Sequence, residues 1–262
     1  YASVVASHIG SDHHSIQLSQ QDFLDAIETV IYNIESYDTT TVRASVGNYL
    51  VLKYIRENTD VKVVFNGDGA DEMCLGYVYN QNAPSQIDFY NENVKLLNEI
   101  YMFDVLRSDR CVSSNGLEAR TPFLDKKFVK YYMSIPIRMK MFGNNGKPEK
   151  YLLRNAFFES GLLPPQVINR RKCAFSDGVS SIQNSWHKTL YDFIDSKVSD
   201  EEFHRDKSKI THCTPILKES YYYRKIFKKF FNGHDHIIPH FWMPQWTNVD
   251  DPSARELSGY QE

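Results

Sequence analysis

Phe23, Ile27, Val30, Ile31 and Ile34 recur at helical spacing, and Ser19 with Asp22 three residues on supplies a capping-box start, so the pattern predicts a helix over about 20–34. A second helix is predicted from about Thr41 to Glu57. After the turn Asn58-Thr59-Asp60, the short β-branched run Val61-Lys62-Val63-Val64-Phe65 predicts a strand. At the front of the chain, Ala2, Val4, Val5, Ala6 and Ile9 read as the last turns of a helix stopped by Gly10. Beyond the strand the pattern is mostly helical, over about 86–106, 126–133, 148–160, 181–196 and 216–231, with loops such as Gly143-Asn144-Asn145-Gly146 and Pro164-Pro165 between. From about residue 232 onward, Trp242, Trp246 and the nearby prolines predict an extended tail whose aromatics dock on the body. No repeat, low-complexity tract or Pro/Gly/Ser-rich linker cuts the chain.

The strand ends in Asn66-Gly67-Asp68-Gly69 and leads into Ala70-Asp71-Glu72, which opens a helix with acids in its first turn. A strand, a glycine-rich turn and then a helix suggest a parallel α/β sheet with a ligand site beyond the strand end. A hairpin is the competing reading, because Asn-Gly and Asp-Gly are strong turn signals. Asp68, Asp71 and Glu72 could be satisfied by a magnesium ion with its phosphates, or by water. The alternating charges of Arg107-Ser108-Asp109-Arg110 and of Gly116 to Asp125 read as ion pairs at the rim of a core, with an arginine fork facing an anionic substrate as the alternative. Arg170-Arg171-Lys172 reads as a surface loop, or as the place where one lysine turns inward to neutralise a transferring phosphoryl group. His13-His14 and the trio His234, His236 and His240 match no metal spacing, and Tyr221-Tyr222-Tyr223 reads as an aromatic helix face.

Composition narrows the function classes. The net charge of -3 leaves no electrostatic case for a general nucleic-acid or anionic-membrane partner, and 42% apolar with 14% aromatic content describes a packed globular chain. The longest apolar runs are four residues, as at Tyr49 to Leu52, against the roughly 20 that a membrane-spanning helix needs, so a soluble protein is expected. Cys74, Cys111, Cys173 and Cys213 lie far apart, which fits reduced thiols in a cytoplasmic protein.

Six segments in order resemble the synthetase domain of glutamine-dependent asparagine synthetases in its eukaryotic-like form: Ile34 to Ser45, Val63 to Glu72, Arg107 to Asp125, Glu149 to Arg154, Lys172 to Ser181, and Trp242-Met243-Pro244 with Asp251 to Arg255. The resemblance covers essentially residues 1–262 and implies an adenine-nucleotide α-hydrolase-like α/β fold, partial here, with a large helical C-terminal portion. It also implies a two-step reaction with ATP and Mg2+, in which aspartate is converted to β-aspartyl-AMP and ammonia then displaces AMP. By position, Asp68 and Lys172 match catalytic residues, Asn66, Gly67, Thr40 and Arg43 match nucleotide contacts, and Asp71 matches a magnesium ligand. The family usually has Ser-Gly-Glu-Gly where this chain has Asn66-Gly67-Asp68-Gly69, which sets the acid back by one methylene, and Glu where this chain has Cys173. A pyrophosphate loop is expected upstream of Tyr1. So is a glutaminase domain supplying ammonia, unless ammonia comes in trans. These residues alone are therefore expected not to complete the synthesis. The resemblance leaves room for a homodimer. Two alternatives are a β-lactam-synthetase-like ligase that adenylates another carboxylate, and a non-catalytic homologue acting as a binding protein.

Overall fold

The computed structural model describes residues 1–143, 146–170, 172 and 185–252. In chain order the helices and strands used below are α1 (Ala2–Ile9), α2 (Gln20–Ile34), α3 (Thr39–Asn58), β1 (Val63–Phe65), α4 (Ala70–Cys74), α5 (Gln86–Glu99), α6 (Asp104–Ser113), β2 (Glu118–Arg120), α7 (Lys126–Ser134), α8 (Ile137–Lys140), α9 (Tyr151–Phe158), α10 (Pro165–Ile168), α11 (Trp186–Lys197), α12 (Asp200–Lys207) and α13 (Lys218–Phe230). The described residues are mostly helical, and none of their helices is long and apolar enough to cross a membrane.

The chain folds into two compact units built from interleaved segments. The larger, formed by Leu18–Asn66, Glu99–Arg120 and Ala174–Glu262, has one core in which α2 presents Ile27, Val30, Ile31 and Ile34. Val42 and Val46 of α3, Leu190 and Ile194 of α11, and Tyr223 and Phe227 of α13 complete its centre. Burying each such side chain contributes roughly 1.5–3 kcal/mol. The predicted capping box is present, since Ser19 Oγ accepts from Asp22 N–H while the Asp22 carboxylate accepts from Ser19 N–H. Trp242 is buried, and its backbone N–H donates to Asp38 Oδ1 at 2.8 Å.

This unit also holds the two-stranded sheet. β1 and β2 run parallel, with Val63 opposite Glu118, Val64 opposite Ala119 and Phe65 opposite Arg120. The hairpin alternative therefore fails, because the partner strand lies beyond α6 and the Asn66-Gly67 turn leads into α4. The helix predicted over 86–106 is broken by a 3-10 turn at Ile100–Met102 and by Phe103, at φ −126° and ψ −88°. The chain leaves one unit for the other at Asn98–Glu99. Periodicity does not predict α12, although Ser199 Oγ caps it by accepting from Glu202 N–H.

The smaller unit consists of Tyr1–Gln17, Gly67–Asn98 and Thr121–Cys173. Met73, Cys74 and Tyr132 form one buried cluster, and Leu75, Phe89, Leu96 and Phe142 another, so both faces of the short α4 and its exit are packed. α1 ends as predicted at Gly10, in the left-handed region at φ 69°. The three described cysteines, Cys74, Cys111 and Cys213, are free thiols, and Cys173 lies outside the described residues.

Candidate active site

In the smaller unit, α4 carries Asp71 in its first turn, and two lysines distant in sequence converge on that carboxylate. Lys150 Nζ donates to Oδ1 at 2.6 Å and Lys172 Nζ to Oδ2 at 2.8 Å. Burial would raise the Asp71 pKa, but the two ammonium groups outweigh it and hold the carboxyl at about 2. Gly76 closes the arrangement from the other side. Its N–H donates to the Asp71 carbonyl at 2.8 Å, and a Cβ there would overlap Asp71 Oδ1 and press on the Lys150 stem. Lys150 itself sits in the left-handed region at φ 55°, a conformation that costs a non-glycine residue roughly 1–2 kcal/mol. That cost falls on the residue whose ammonium holds Asp71, where backbone strain is a pointer to function. Arg154 steadies the start of α9 by donating to the Glu149 carbonyl, the Glu149 carboxylate and the Ile168 carbonyl.

The expectation that Asp71 binds magnesium meets a physical difficulty here. Mg2+ demands near-octahedral oxygen ligands, whereas both Asp71 oxygens accept from ammonium groups that would repel a divalent cation. Among the described residues no group of three or more His, Cys, Asp or Glu is arranged to hold a metal. The arrangement is an anion clasped by two cations and does not fit a metal ion.

The Gly67–Gly69 turn precedes α4. Gly67 has open space around its Cα, so a ligand could approach its backbone closely, while Gly69 is at φ 86° and a Cβ there would come within 2.5 Å of Leu124 Cδ2. Asp68 stands between the two glycines, half-buried. Its placement comes from the chain path, because Ala70 N–H donates to the Gly67 carbonyl and Met73 N–H to the Gly69 carbonyl.

Thr40, Arg43 and Asn66 belong to the larger unit. Asp38 caps α3 by accepting from Thr41 N–H at 2.9 Å and Thr41 Oγ1 at 2.7 Å. Thr40 Oγ1, one residue earlier, is buried and has no hydrogen-bond partner among the described residues. Arg43 behaves differently. Its Nε and one terminal nitrogen donate to Glu219 at 3.1 and 2.7 Å, and both terminal nitrogens donate to Asp251 at 3.0 and 3.1 Å. Two carboxylates fill the fork, so Arg43 meets no nucleotide phosphate in this arrangement. Asn66 extends the sheet by donating its N–H to the Arg120 carbonyl at 3.0 Å, and its Nδ2 donates to Ser108 Oγ at 2.6 Å. The charge pairs expected around residues 107–120 are present as Arg107 with Asp104, Arg110 with Glu35 and Arg120 with Glu118.

Of the expected residues, the smaller unit brings together Asp71 and Lys172. Sequence reasoning assigns no role to Lys150 or Gly76. Lys150 lies inside the Glu149 to Arg154 segment, but nothing local says that its ammonium reaches back to Asp71.

Residues 1–96 and 81–254 match the Asparagine synthase family. The chain belongs to the asparagine synthase family. It is 47% identical over 260 residues to a glutamine-hydrolysing asparagine synthetase of Gallus gallus and 47% identical to that of Bos taurus, in each case across 99% of this chain and 46% of the relative. The corresponding enzyme of Homo sapiens is 45% identical over the same spans. The chain thus spans about half the length of the curated relatives it matches. Family membership implies an adenine-nucleotide α-hydrolase-like fold, to which the parallel pair β1–β2 and the turn after β1 conform.

Proposed function

We propose that this chain forms the C-terminal, carboxylate-activating part of an ATP-dependent asparagine synthetase. The Lys150–Asp71–Lys172 clasp carries the reading, because it sets two ammonium groups within 2.8 Å of one carboxylate just beyond a glycine turn. In the reaction, an oxygen of the aspartate β-carboxylate attacks the α-phosphorus of ATP, supplied as its magnesium complex, and pyrophosphate leaves. Ammonia then attacks the β-carbonyl carbon of β-aspartyl-AMP, AMP leaves with the bonding pair, and the extra proton passes to solvent. Charge spreads over the phosphoryl oxygens in the first step, and preorganised cations are worth most there. Lys172, hydrogen-bonded to Asp71, supplies that countercharge, while Lys150 holds Asp71 and so orients Lys172.

Gly67 lets the nucleotide approach the backbone. Asp68 serves as the acid of the adenylation step, with its carboxylate one methylene short of the family's usual glutamate. In the larger unit, Thr40 keeps a buried hydroxyl with no hydrogen-bond partner among the described residues, and Asn66 is held by Ser108. Arg43 acts by positioning α3 through Glu219 and Asp251. Ammonia comes from a glutaminase domain in the same polypeptide or in trans, and the setting is the cytosol.

The test is aspartate-dependent pyrophosphate release from Mg-ATP with ammonium present, using the longest natural chain that contains these residues. Pyrophosphate together with asparagine supports the reading. Release driven by a different carboxylate moves the assignment to a related adenylating ligase. No release from a folded protein favours a non-catalytic binding role, for which the shortened acid at Asp68 is the motive. The 262 residues alone are expected to give no asparagine, and turnover by them would overturn that expectation.

A further inference from the structure

Lys172 makes a second contact that the clasp does not account for. Its Nζ lies 5.1 Å from the centroid of the Tyr77 ring, over the face. An aromatic face attracts an ammonium group through its quadrupole without carrying a charge of its own. It therefore locates the cation without neutralising its charge, as a second carboxylate would. Tyr77 in turn is held from both ends. Its hydroxyl donates to the buried carboxylate of Glu72, and its ring stacks on Tyr79 with centroids 5.7 Å apart and planes at 16°. The Tyr79 hydroxyl donates to Glu92 Oε1 at 2.7 Å, and Asn93 Nδ2 donates to the Glu72 carbonyl at 2.7 Å, so α4, the 3-10 segment Val78–Asn82 and α5 brace the same ring.

We propose that Tyr77 is a positioning residue for Lys172, its ring face seating the ammonium and its hydroxyl, donated to Glu72, fixing the ring. The catalytic consequence rests on the adenylation reading, but the seat itself does not. In the full-length protein, reductive 13C-methylation of lysines gives a dimethyl resonance for Lys172, assigned by its loss in Lys172→Arg. That resonance is expected upfield by ring current in the wild type and in Tyr77→Phe, and to return to the ordinary position in Tyr77→Leu. In pyrophosphate release, Tyr77→Leu is expected to lower kcat about 10- to 30-fold, as loss of a desolvated cation–π contact implies, with the aspartate KM unchanged. Tyr77→Phe, which keeps the ring, is expected to retain most of the rate. An unshifted wild-type resonance, or phenylalanine and leucine variants that fall equally, overturns the proposal. A wild type without pyrophosphate release removes the adenylation reading, and the resonance still decides the seat. Should Tyr77→Leu fail to fold, Tyr77→Met supplies flexible apolar bulk without a ring.

Discussion

Two ion clusters of this protein are inverses of each other. In the larger unit one cation, Arg43, sits between two carboxylates, Glu219 and Asp251, with side-chain exposures of 4%, 9% and 24%. In the smaller unit one carboxylate, Asp71, sits between two cations, Lys150 and Lys172, with exposures of 25%, 19% and 10%. The first carries one net negative charge, and its guanidinium is engaged in bidentate fashion on both sides. Burial by itself would disfavour the Arg43 charge, but Glu219 and then Asp251 more than restore it, so the group stays firmly protonated. The second cluster sets two lysines on one carboxylate and stays partly open. Equal numbers of ion pairs thus support opposite conclusions. Which sign is clasped, and how open the cluster stays, separate an architectural cluster from one suited to an anionic substrate.

The largest effect is expected in the architectural cluster. Arg43→Met leaves Glu219 and Asp251 without their cation and should reduce stability by about 3–5 kcal/mol in urea denaturation. Loss of activity with stability intact would instead return Arg43 to the chemistry. Lys172→Ala should do the reverse. Aspartate-dependent pyrophosphate release should fall about 100- to 1,000-fold, while stability in the same denaturation falls less than in Arg43→Met, because Asp71 keeps Lys150.

A smaller effect should follow Gly76→Ala, whose methyl overlaps the Asp71 carboxylate. Overpacking of this kind costs about 1–3 kcal/mol, and a structure of the variant should show the Lys150–Asp71 contact opened. An unchanged contact would show that Gly76 does not enforce it.

The smallest effect concerns pH. The folded pKa of Asp71, about 2, lies below the roughly 3.9 of an unfolded aspartate. The clasp therefore adds stability above about pH 4 that is lost as pH falls toward 2. Lys150→Met should raise the Asp71 pKa and move that loss to higher pH, which carboxyl 13C titration would follow. An unmoved titration would mean that Lys172 alone holds the charge.

Local signals foretell much of the helical framework. Helix α2 runs from Gln20 to Ile34 as the spacing predicts, because its cap and its apolar stripe lie within one segment. α12 has a local start signal in Ser199 and Glu202, yet Phe203 is its one buried residue, so it lacks the apolar stripe that periodicity detects. β2 has no local signal of this kind. Glu118-Ala119-Arg120 is three residues long and alternates charge with a small side chain, and it becomes a strand because β1 lies beside it. The break in the helix predicted over 86–106 carries no Gly or Pro. It falls where the chain changes unit, and Phe103 is buried there.

The chemistry divides along the same line. The residue types, their order along the chain and the glycine turn after β1 are properties of the sequence, and they are enough to point to a family and to Asp68, Asp71 and Lys172. What Asp71 and Arg43 face was decided by folding alone. Lys150 lies 79 positions and Lys172 101 positions from Asp71, and Glu219 lies 176 from Arg43. Periodicity and capping act over a few residues, whereas an ion pair depends on which distant side chains packing brings within about 3 Å, and on the burial that makes the pairing obligatory.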